Sequence, residues 1–356
     1  MDSLTHLVLG ACIGEALLAR PLGKRALVLG GIAQSLPDVD VLAALWLPPA
    51  ENLLVHRGIT HSLVAAGVAA VGLAWVANRR GPAVPFRTWA LFFALQLAVH
   101  DLLDTCNAYG TGLLEPFSGK RFSFHLLYVA DPSFTLPLLV AALGLLWLRT
   151  GHPLRRKAVA LGLLWPAAYL GGAAFAKART DQALAHSLAA AGISHAARFS
   201  TPTPFNSLLW YAVAGTEGGY LVGYRSVFEP AGHPTAFTFF PRADSLLPPS
   251  DQTGDVARLR RFADGFYTVE RQQDTTRFNV LRFGQVLGWQ HPGAPFAFGY
   301  LLGENYDNTL AVQRGRFRGW TATTVRRLGA RIFSPPVPAG LPPRPRAQSA
   351  PHGKTQ

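Results

Sequence analysis

Long apolar stretches separated by short polar loops fill the first half of the chain. A membrane-spanning helix needs about 20 apolar residues, with about 17 as the lower limit. Several of the stretches lie near that limit, so the pattern predicts five or six spans, and the first stretch could instead be re-entrant or lie in the interface. The predicted helices lie near residues 4–19, 26–47, 62–78, 88–103, 132–148 and 158–175.

The pattern changes after about residue 176. Residues 177–200 predict a connecting helix, and from Thr201 short alternating segments separated by glycine turns indicate strands. Segments 207–214 and 219–228 flank a four-residue turn and predict a hairpin, and residues 251–263 have the pattern of an amphipathic helix. Further strands are predicted at 235–240, 265–271, 278–286 and 296–302.

These patterns predict the fold class and the domain boundaries. An α-helical membrane domain at 1–176 is followed, after the connecting helix, by a smaller β-rich (α+β) soluble domain at 201–334. The Pro- and Arg-rich segment 335–356 has almost no apolar clusters and is predicted to be a disordered tail.

Composition supports this division. Hydrophobic residues make up 49% of the chain and charged residues only 15%, against about 25% in a typical soluble domain. A mean hydropathy of +0.18 is too low for a chain that is membrane throughout and too high for a soluble one. The 2 cysteines exclude a multi-bridge disulfide scaffold and an all-cysteine zinc site, and we expect Cys12 and Cys106 to be small apolar packing residues.

The loops after the first, third and fifth predicted helices carry most of the basic residues of this half. The positive-inside rule makes these loops cytoplasmic. The protein is therefore predicted to be a multi-pass protein of the inner (plasma) membrane, with its C-terminal domain on the non-cytoplasmic side. Lys120 and Arg121, in an outward loop, run against this orientation. Anionic lipid explains the net charge of +13 as well as nucleic acid does, so no nucleic-acid partner is expected.

Ionisable residues recur at the ends of the predicted membrane helices. Such residues are energetically costly in a membrane and are usually functional. If the helices alternate in direction, these ends all fall on the predicted outward side. The residues near these ends are His6, His56, Arg57, His61, His100, Asp101 and Asp104, and Asp38 and Asp40 lie inside the second predicted helix.

Their spacing indicates a divalent metal site. His100 and Asp104 are four residues apart and share one helix face, Pro37 interrupts the helix before Asp38, and Gly58 allows a turn before His61. Imidazole and carboxylate ligands favour Zn, with Mn or Fe as alternatives, in a site of one or two ions. The predicted metal ligands are His6, Asp38, His56, His61, His100 and Asp104.

Three further residues are predicted to assist catalysis. Asp40 or Asp101 would orient a ligand imidazole or act as a general base. Arg57 would steady an anionic oxygen of the substrate, and its alternative is an ion pair with Asp38 or Asp40. Outside this set, Asp131 is interpreted as a helix start and Glu15 as a packing or snorkelling residue, while His125, His152 and His186 are expected on the surface.

The order of these motifs resembles the YdjM-type family of membrane-bound metal-dependent hydrolases. The resemblance covers about the first 180 residues, and its most specific part is residues 56–62, His-Arg-Gly-Ile-Thr-His-Ser. It also includes residues 2–6, 36–40, 100–104 and the pair Tyr109-Gly110, while residues 280–284 resemble the C-terminal extension of longer members. The resemblance implies a helical membrane domain with a hydrolase site similar to that of zinc-dependent phospholipase C. Some members are described as LexA-binding candidate hydrolases of the inner membrane.

The sequence leaves three functions open. The first is a metal-dependent hydrolase acting at the outer membrane face on a small molecule, a lipid or a lipid-linked phosphoester, with membrane lipids as its surroundings. The second is a transporter that carries protons or metal ions through the same buried groups. The third is a membrane scaffold that binds a protein partner, whose identity stays open, through its C-terminal domain.

Overall fold

The structure is a computed structural model that describes residues 1–80, 84–193, 197–230, 232–248, 254–303, 308 and 319–334. The predicted tail at 335–356 lies outside these residues. The N-terminal half is helical, as predicted. Its helices are α1 Ser3–Leu22, α2 Arg25–Gln34, α3 Pro49–Val55, α4 Leu63–Arg80, α5 Phe86–Thr105, α6 Pro132–Trp147 and α7 Leu154–Ala190, with a first 3-10 helix at Pro37–Leu45 and a second at Ile59–His61.

The predicted helix at 26–47 is interrupted at Pro37, as the sequence indicated. It is divided into α2 and the first 3-10 helix, whose axes differ by 54°. Pro37 is the first residue of the 3-10 helix and has no backbone N–H to continue the hydrogen-bond ladder of α2. The break turns the chain at the level where Asp38 and Asp40 follow.

Helix α7 joins two predicted elements. The predicted sixth membrane helix and the first part of the predicted connecting helix form one helix of 37 residues, which is about 55 Å long. It therefore reaches well beyond the thickness of a bilayer core of about 30 Å. Its C-terminal part is free to pack on the domain that follows.

Two of the described helices, α1 and α7, are long and apolar enough to cross a membrane, and the number rises to four if each of two bent helix pairs counts as one span. The first bent pair is α2 with the first 3-10 helix, and the second joins Pro49–His61 to α4. The helical region thus contains membrane-spanning candidates, while the prediction of five or six spans is not confirmed.

Helices α1 and α2 pack closely through glycines. Gly10 and Gly14 of α1 face Gly30 of α2, and a Cβ atom at Gly14 would overlap the backbone oxygen of Ala26. Small residues allow such close approach of backbones between membrane helices. The contact places Gln34, the last residue of α2, beside α1 and α5, where its backbone oxygen is used by the site described below.

The C-terminal half contains two antiparallel sheets, as the strand pattern predicted. One sheet has the order β1-β2-β3-β4 and the other β5-β6-β7. The predicted hairpin forms, with Thr216 of β2 opposite Gly219 of β3. The elements are β1 Arg198–Pro202, β2 Leu209–Thr216, β3 Gly219–Ser226, β4 Phe237–Pro241, a 3-10 helix Asp244–Leu246, α8 Asp255–Ala263, β5 Tyr267–Gln272, β6 Thr275–Gln285, β7 Phe296–Leu302 and α9 Ala322–Phe333.

The two halves share hydrophobic cores. Ala50 and Leu53 of α3 pack into one core with Leu259 and Phe262 of α8 and with the β5-β6-β7 sheet. Leu184, near the end of α7, packs on the other sheet. The C-terminal domain is therefore seated on α3 and α7, close to the chain segment that carries His56 and His61.

Several single residues of the helical half have structural roles. Glu15 of α1, predicted as a packing or snorkelling residue, forms a buried ion pair with Arg155 of α7, with 2.7 Å between Oε2 and the guanidinium. Asp131 caps α6 by accepting a hydrogen bond from the Ser133 N–H at 3.0 Å, which confirms the predicted helix start. Both predicted packing cysteines, Cys12 and Cys106, are buried.

The prediction of His125 as a surface residue was wrong. Its ring stacks on Phe199 of β1 with ring centres 5.1 Å apart. Its Nδ1 is enclosed and makes no hydrogen bond within the described residues. Burial lowers the pKa of His125 well below its usual range, so the imidazole is neutral. This packing could not be predicted from the sequence, because Phe199 is 74 positions away in the chain.

Candidate metal centre

Four side chains from three elements converge at one end of the helical region. Asp38 comes from the first 3-10 helix, His61 from the second, and His100 and Asp104 from α5. Each offers one ligand atom, and these atoms all lie within 4.8 Å of one another. The side chains of His61, His100 and Asp104 have no exposed surface, and that of Asp38 is 18% exposed.

The distances fit a four-coordinate ion. His61 Nε2 lies 3.1 Å from His100 Nε2, 3.5 Å from Asp38 Oδ1 and 3.5 Å from Asp104 Oδ2. His100 Nε2 lies 3.6 Å from each of the same two oxygens. Ligand atoms placed about 2.0–2.2 Å from a metal at tetrahedral angles are about 3.3–3.6 Å apart. Five of the six distances therefore match the edges of a tetrahedral site within a few tenths of an ångström, and the sixth, between Asp38 and Asp104, is at most 4.8 Å.

The tautomer of each imidazole follows from its hydrogen bonds. His100 Nδ1 lies 2.6 Å from the backbone oxygen of Gln34, which can only accept, so Nδ1 carries the hydrogen. The Thr60 hydroxyl donates to Asp40 Oδ2 at 2.8 Å, so its oxygen accepts from His61 Nδ1 at 3.0 Å. When a ring is neutral, its Nε2 therefore presents a lone pair.

Consequently, the centre of the group is lined by acceptors. With both rings neutral, two imidazole lone pairs and two carboxylate oxygens face one another. Like-charged and lone-pair-bearing atoms at 3.1–3.6 Å repel unless a cation lies between them. The chemistry of the donor set thus fits a divalent cation.

Asp40 supports the ligands from behind. Its Oδ1 accepts from His56 Nδ1 at 2.8 Å, and its Oδ2 accepts from the Arg57 N–H and the Thr60 hydroxyl, each at 2.8 Å. Asp40 Oδ2 also lies 3.2 Å from His61 Nδ1. A carboxylate behind a ligating imidazole fixes its ring and tautomer. His56, predicted as a ligand, stands outside the group of four and contacts it through Asp40.

Three basic groups of the site contact the Asp104 carboxylate. Arg57 Nε lies 3.0 Å from Asp104 Oδ2, so the guanidinium pairs with Asp104 and not with Asp38 or Asp40, the alternative raised from the sequence. His6 Nε2 lies 3.2 Å from Asp104 Oδ1, and the Met1 amino group contacts the same oxygen. His6 therefore borders the group of four, and its ring stacks on His100 with centres 3.9 Å apart.

Asp101 is buried without a hydrogen-bond partner among the described residues, and its side chain belongs to none of the four ligand positions. It follows His100 on α5, three residues before Asp104. A buried carboxylate without a partner is costly, so it marks a place where a proton or a further cation would be stabilised.

Several supporting residues were not predicted. Asn107 accepts a hydrogen bond from Arg57 at 2.9 Å. Tyr109 donates to the Leu53 backbone oxygen at 3.0 Å, and its ring lies edge-on to His56 at 5.1 Å and to Phe262 of the C-terminal domain at 5.0 Å. Burial raises the pKa of Tyr109 to about 12, so the phenol keeps its hydrogen. The family resemblance included Tyr109, but it assigned the residue no role.

Replacing Asp40 by asparagine is expected to lower metal affinity about 10–100-fold, because the amide no longer holds the His61 and His56 hydrogens as a carboxylate does. Titration of the chelated, detergent-purified protein with zinc measures the metal affinity. Asp274→Asn, in the exposed turn between β5 and β6, is the matched control and should bind as the unchanged protein does. Equal affinity of the two variants would show that Asp40 does not support the ligands.

Comparison with known proteins covers the part of the chain that contains these residues. A profile described as YdjM inner membrane protein matches residues 1–180. The chain belongs to the YdjM inner membrane protein family. All four side chains of the metal centre, together with Asp40, His56 and Arg57, lie within the YdjM match. The match ends inside α7, so both sheets lie beyond it.

Two curated proteins illustrate the relationship within the YdjM family. The chain is 38% identical over 121 residues to inner membrane protein YbcI of Escherichia coli strain K12, which is 33% of this chain and 69% of YbcI. It is 29% identical over 160 residues to the uncharacterized protein YfhP of Bacillus subtilis strain 168, which is 43% of this chain and 48% of YfhP. No solved structure matches the chain.

Proposed function

We propose that this protein is an integral-membrane, metal-dependent hydrolase whose metal is held by Asp38, His61, His100 and Asp104. The observation that carries the proposal is the pair of Nε2 atoms 3.1 Å apart, each with its hydrogen committed to the opposite ring nitrogen. Zinc is the favoured ion, because two imidazoles and two carboxylates without cysteine suit it, and Mn or Fe are the alternatives.

A divalent cation in this position would supply the Lewis acid that makes water nucleophilic at neutral pH, which requires room for a water beside the four side chains. Three side chains of the protein would assist the reaction. Asp40 holds His61 in the tautomer that leaves Nε2 free. Asp101, buried and unpartnered among the described residues, accepts the proton released on attack. Arg57, beside Asp104, offers its guanidinium to the negative charge that develops on the substrate.

The substrate class follows from the location of the ligands. His6 lies in the first turns of α1, Asp104 is the penultimate residue of α5, and Asp38 and His61 lie in the two 3-10 helices. The group therefore lies near the ends of the helices, where the polar head of a lipid would stand. We propose a lipid or lipid-linked phosphoester as the substrate, and the outer membrane face as the location.

Chelation is expected to abolish phosphoester hydrolysis by the detergent-purified protein, and stoichiometric zinc is expected to restore it, because the ligands define the site. Metal analysis, together with phosphate or headgroup release from phospholipid–detergent micelles, measures both effects. The Asp274→Asn protein serves as the purification control. Full turnover by protein shown to contain no metal would contradict the proposal.

Ion transport is the second candidate, and a specific observation favours it. Two bent helix pairs meet at the site, and interrupted helices are typical of transporter binding sites. The two pairs are consecutive in the chain and do not come from two related halves, which favours the hydrolase. Zinc uptake into sealed proteoliposomes, without release of any headgroup, would support transport instead.

A further inference from the structure

The first 3-10 helix has two different faces. Its inner face carries Asp38 and Asp40 and buries Pro37 and Ala43. Its outer face is apolar and exposed, up to 78% for Leu45 and 68% for the following Trp46. The first 3-10 helix therefore lies between the ligands of the metal centre and a surface on which large apolar side chains are exposed.

The same face borders the way into the metal centre. Asp38 is the one ligand of the four whose side chain reaches the surface. The exposed side chains nearest to the ligands in the chain are apolar: Val39 follows Asp38, and Ile59 precedes His61 by two residues. The two 3-10 helices contact one another, so Val39 and Ile59 lie on neighbouring elements. We call Val39, Leu42, Leu45, Trp46 and Ile59 the apolar rim.

The apolar rim is continuous with the surface of the membrane helices. Val28 and Ile32 of α2, which leads into the first 3-10 helix, are exposed, and so are Leu63 and Val64 of α4, which follows the second. Each 3-10 helix belongs to a bent helix pair that is apolar enough to lie in a membrane. Exposed apolar patches of this kind mark membrane or protein interaction sites.

We propose that the apolar rim lies in the lipid, at the boundary between headgroups and acyl chains, and that substrate reaches Asp38 sideways from the bilayer. The substrate class would be an amphiphile that lays its acyl chain on the rim and directs its anionic head between the two 3-10 helices to Arg57 and the metal centre. The position of the rim in lipid stands by itself, and the choice of substrate rests on the proposed hydrolase function.

A fluorescent probe tests the position of the rim. The full chain with Leu45→Cys is labelled with an environment-sensitive dye and reconstituted into phosphatidylcholine–phosphatidylglycerol vesicles, and the native cysteines are buried. We expect blue-shifted emission that is quenched by nitroxide-labelled lipid and protected from iodide. The control is Glu217→Cys, in the exposed β2–β3 turn, which should behave in the opposite way.

Two results would overturn the proposal. Quenching of the Leu45→Cys probe by iodide to the same extent as the control would place the rim in water. Protection from both quenchers, together with a dimeric mass in detergent, would show that a second copy of the chain covers the rim.

An activity measurement tests sideways entry. Leu45→Asn/Trp46→Gln removes apolar contact from the rim without touching a ligand. It is expected to lower kcat/KM for phosphatidylglycerol in vesicles by at least about tenfold, while zinc content and turnover of the soluble diester bis(p-nitrophenyl) phosphate stay unchanged. Equal losses on both substrates, or no loss on either, would contradict sideways entry. If the unchanged protein hydrolyses neither substrate, the proposed function fails, and the probe result still decides the position of the rim.

Discussion

Replacing His61 by alanine is expected to remove the bound metal and to lower hydrolysis by at least about 100-fold, more than the loss of a supporting residue costs. His61 Nε2 lies 3.1, 3.5 and 3.5 Å from the other three ligand atoms, slightly closer than His100 Nε2 does, at 3.1, 3.6 and 3.6 Å. Without it, two carboxylates and one imidazole remain, and the opening left on one side admits water to the ion. Metal content after dialysis and phosphoester turnover measure the effect.

The comparison with other histidines makes this result specific. His56→Ala removes only the contact behind Asp40, so we expect a loss of about 10-fold in metal affinity. His186→Ala, on the exposed side of α7, should change nothing. Each variant is checked for helix content and for a monodisperse elution profile. A His61→Ala protein that retains its metal would show that the group of four does not bind it.

Replacing Arg155 by methionine is expected to lower the free energy of unfolding by about 3–5 kcal/mol, because the substitution leaves the Glu15 carboxylate buried without its partner. The side chains of Arg155 and Glu15 are 7% and 6% exposed, and the guanidinium contacts both carboxylate oxygens, at 2.8 and 2.7 Å. The pair joins α1 to α7, the two helices that individually qualify as membrane spans. Thermal unfolding in detergent measures the loss.

A second substitution distinguishes the buried charge from lost packing. Glu15→Gln in the Arg155→Met background removes the buried carboxylate that has lost its partner. The double variant should therefore be more stable than the Arg155→Met variant. Part of the loss should remain, because Arg155 also donates to the backbone oxygens of Leu145 and Leu148. Arg156→Met, at the exposed neighbouring position, is the control. Equal stability of the single and double variants would contradict this account.

Much of the local structure could be predicted from the sequence. The stretch 88–103 became α5, Phe86–Thr105, and the segments around the four-residue turn became the β2–β3 hairpin. These elements have clear periodicity and end at turn residues or prolines. Helix α3 and strand β1 were not predicted, because α3 has only seven residues and packs on α8, and β1 exists through its pairing with β2. Such elements depend on partners distant in the chain.

Only the tertiary structure shows which of the two histidines is a ligand and which is a supporting residue. His56 and His61 were equivalent in the sequence, since each precedes the same apolar helix. In the structure Arg57 has a φ of 60°, and the second 3-10 helix follows Gly58. The chain therefore turns between the two imidazoles, which leaves His56 behind Asp40 and brings His61 to Asp38. Spacing along the chain does not specify such a turn.

Residue types and hydropathy were enough to predict a helical membrane half, a sheet-rich half and a set of imidazoles and carboxylates at helix ends, because these properties depend on periods of a few residues and on the cost of burying charge. The identity of the four facing atoms, the support from Asp40 and the pairing of Arg57 with Asp104 arose only in three dimensions. Distances of 3.1–3.6 Å between residues up to 62 positions apart depend on how α2, α5 and both 3-10 helices pack, and local preference carries no information about that packing.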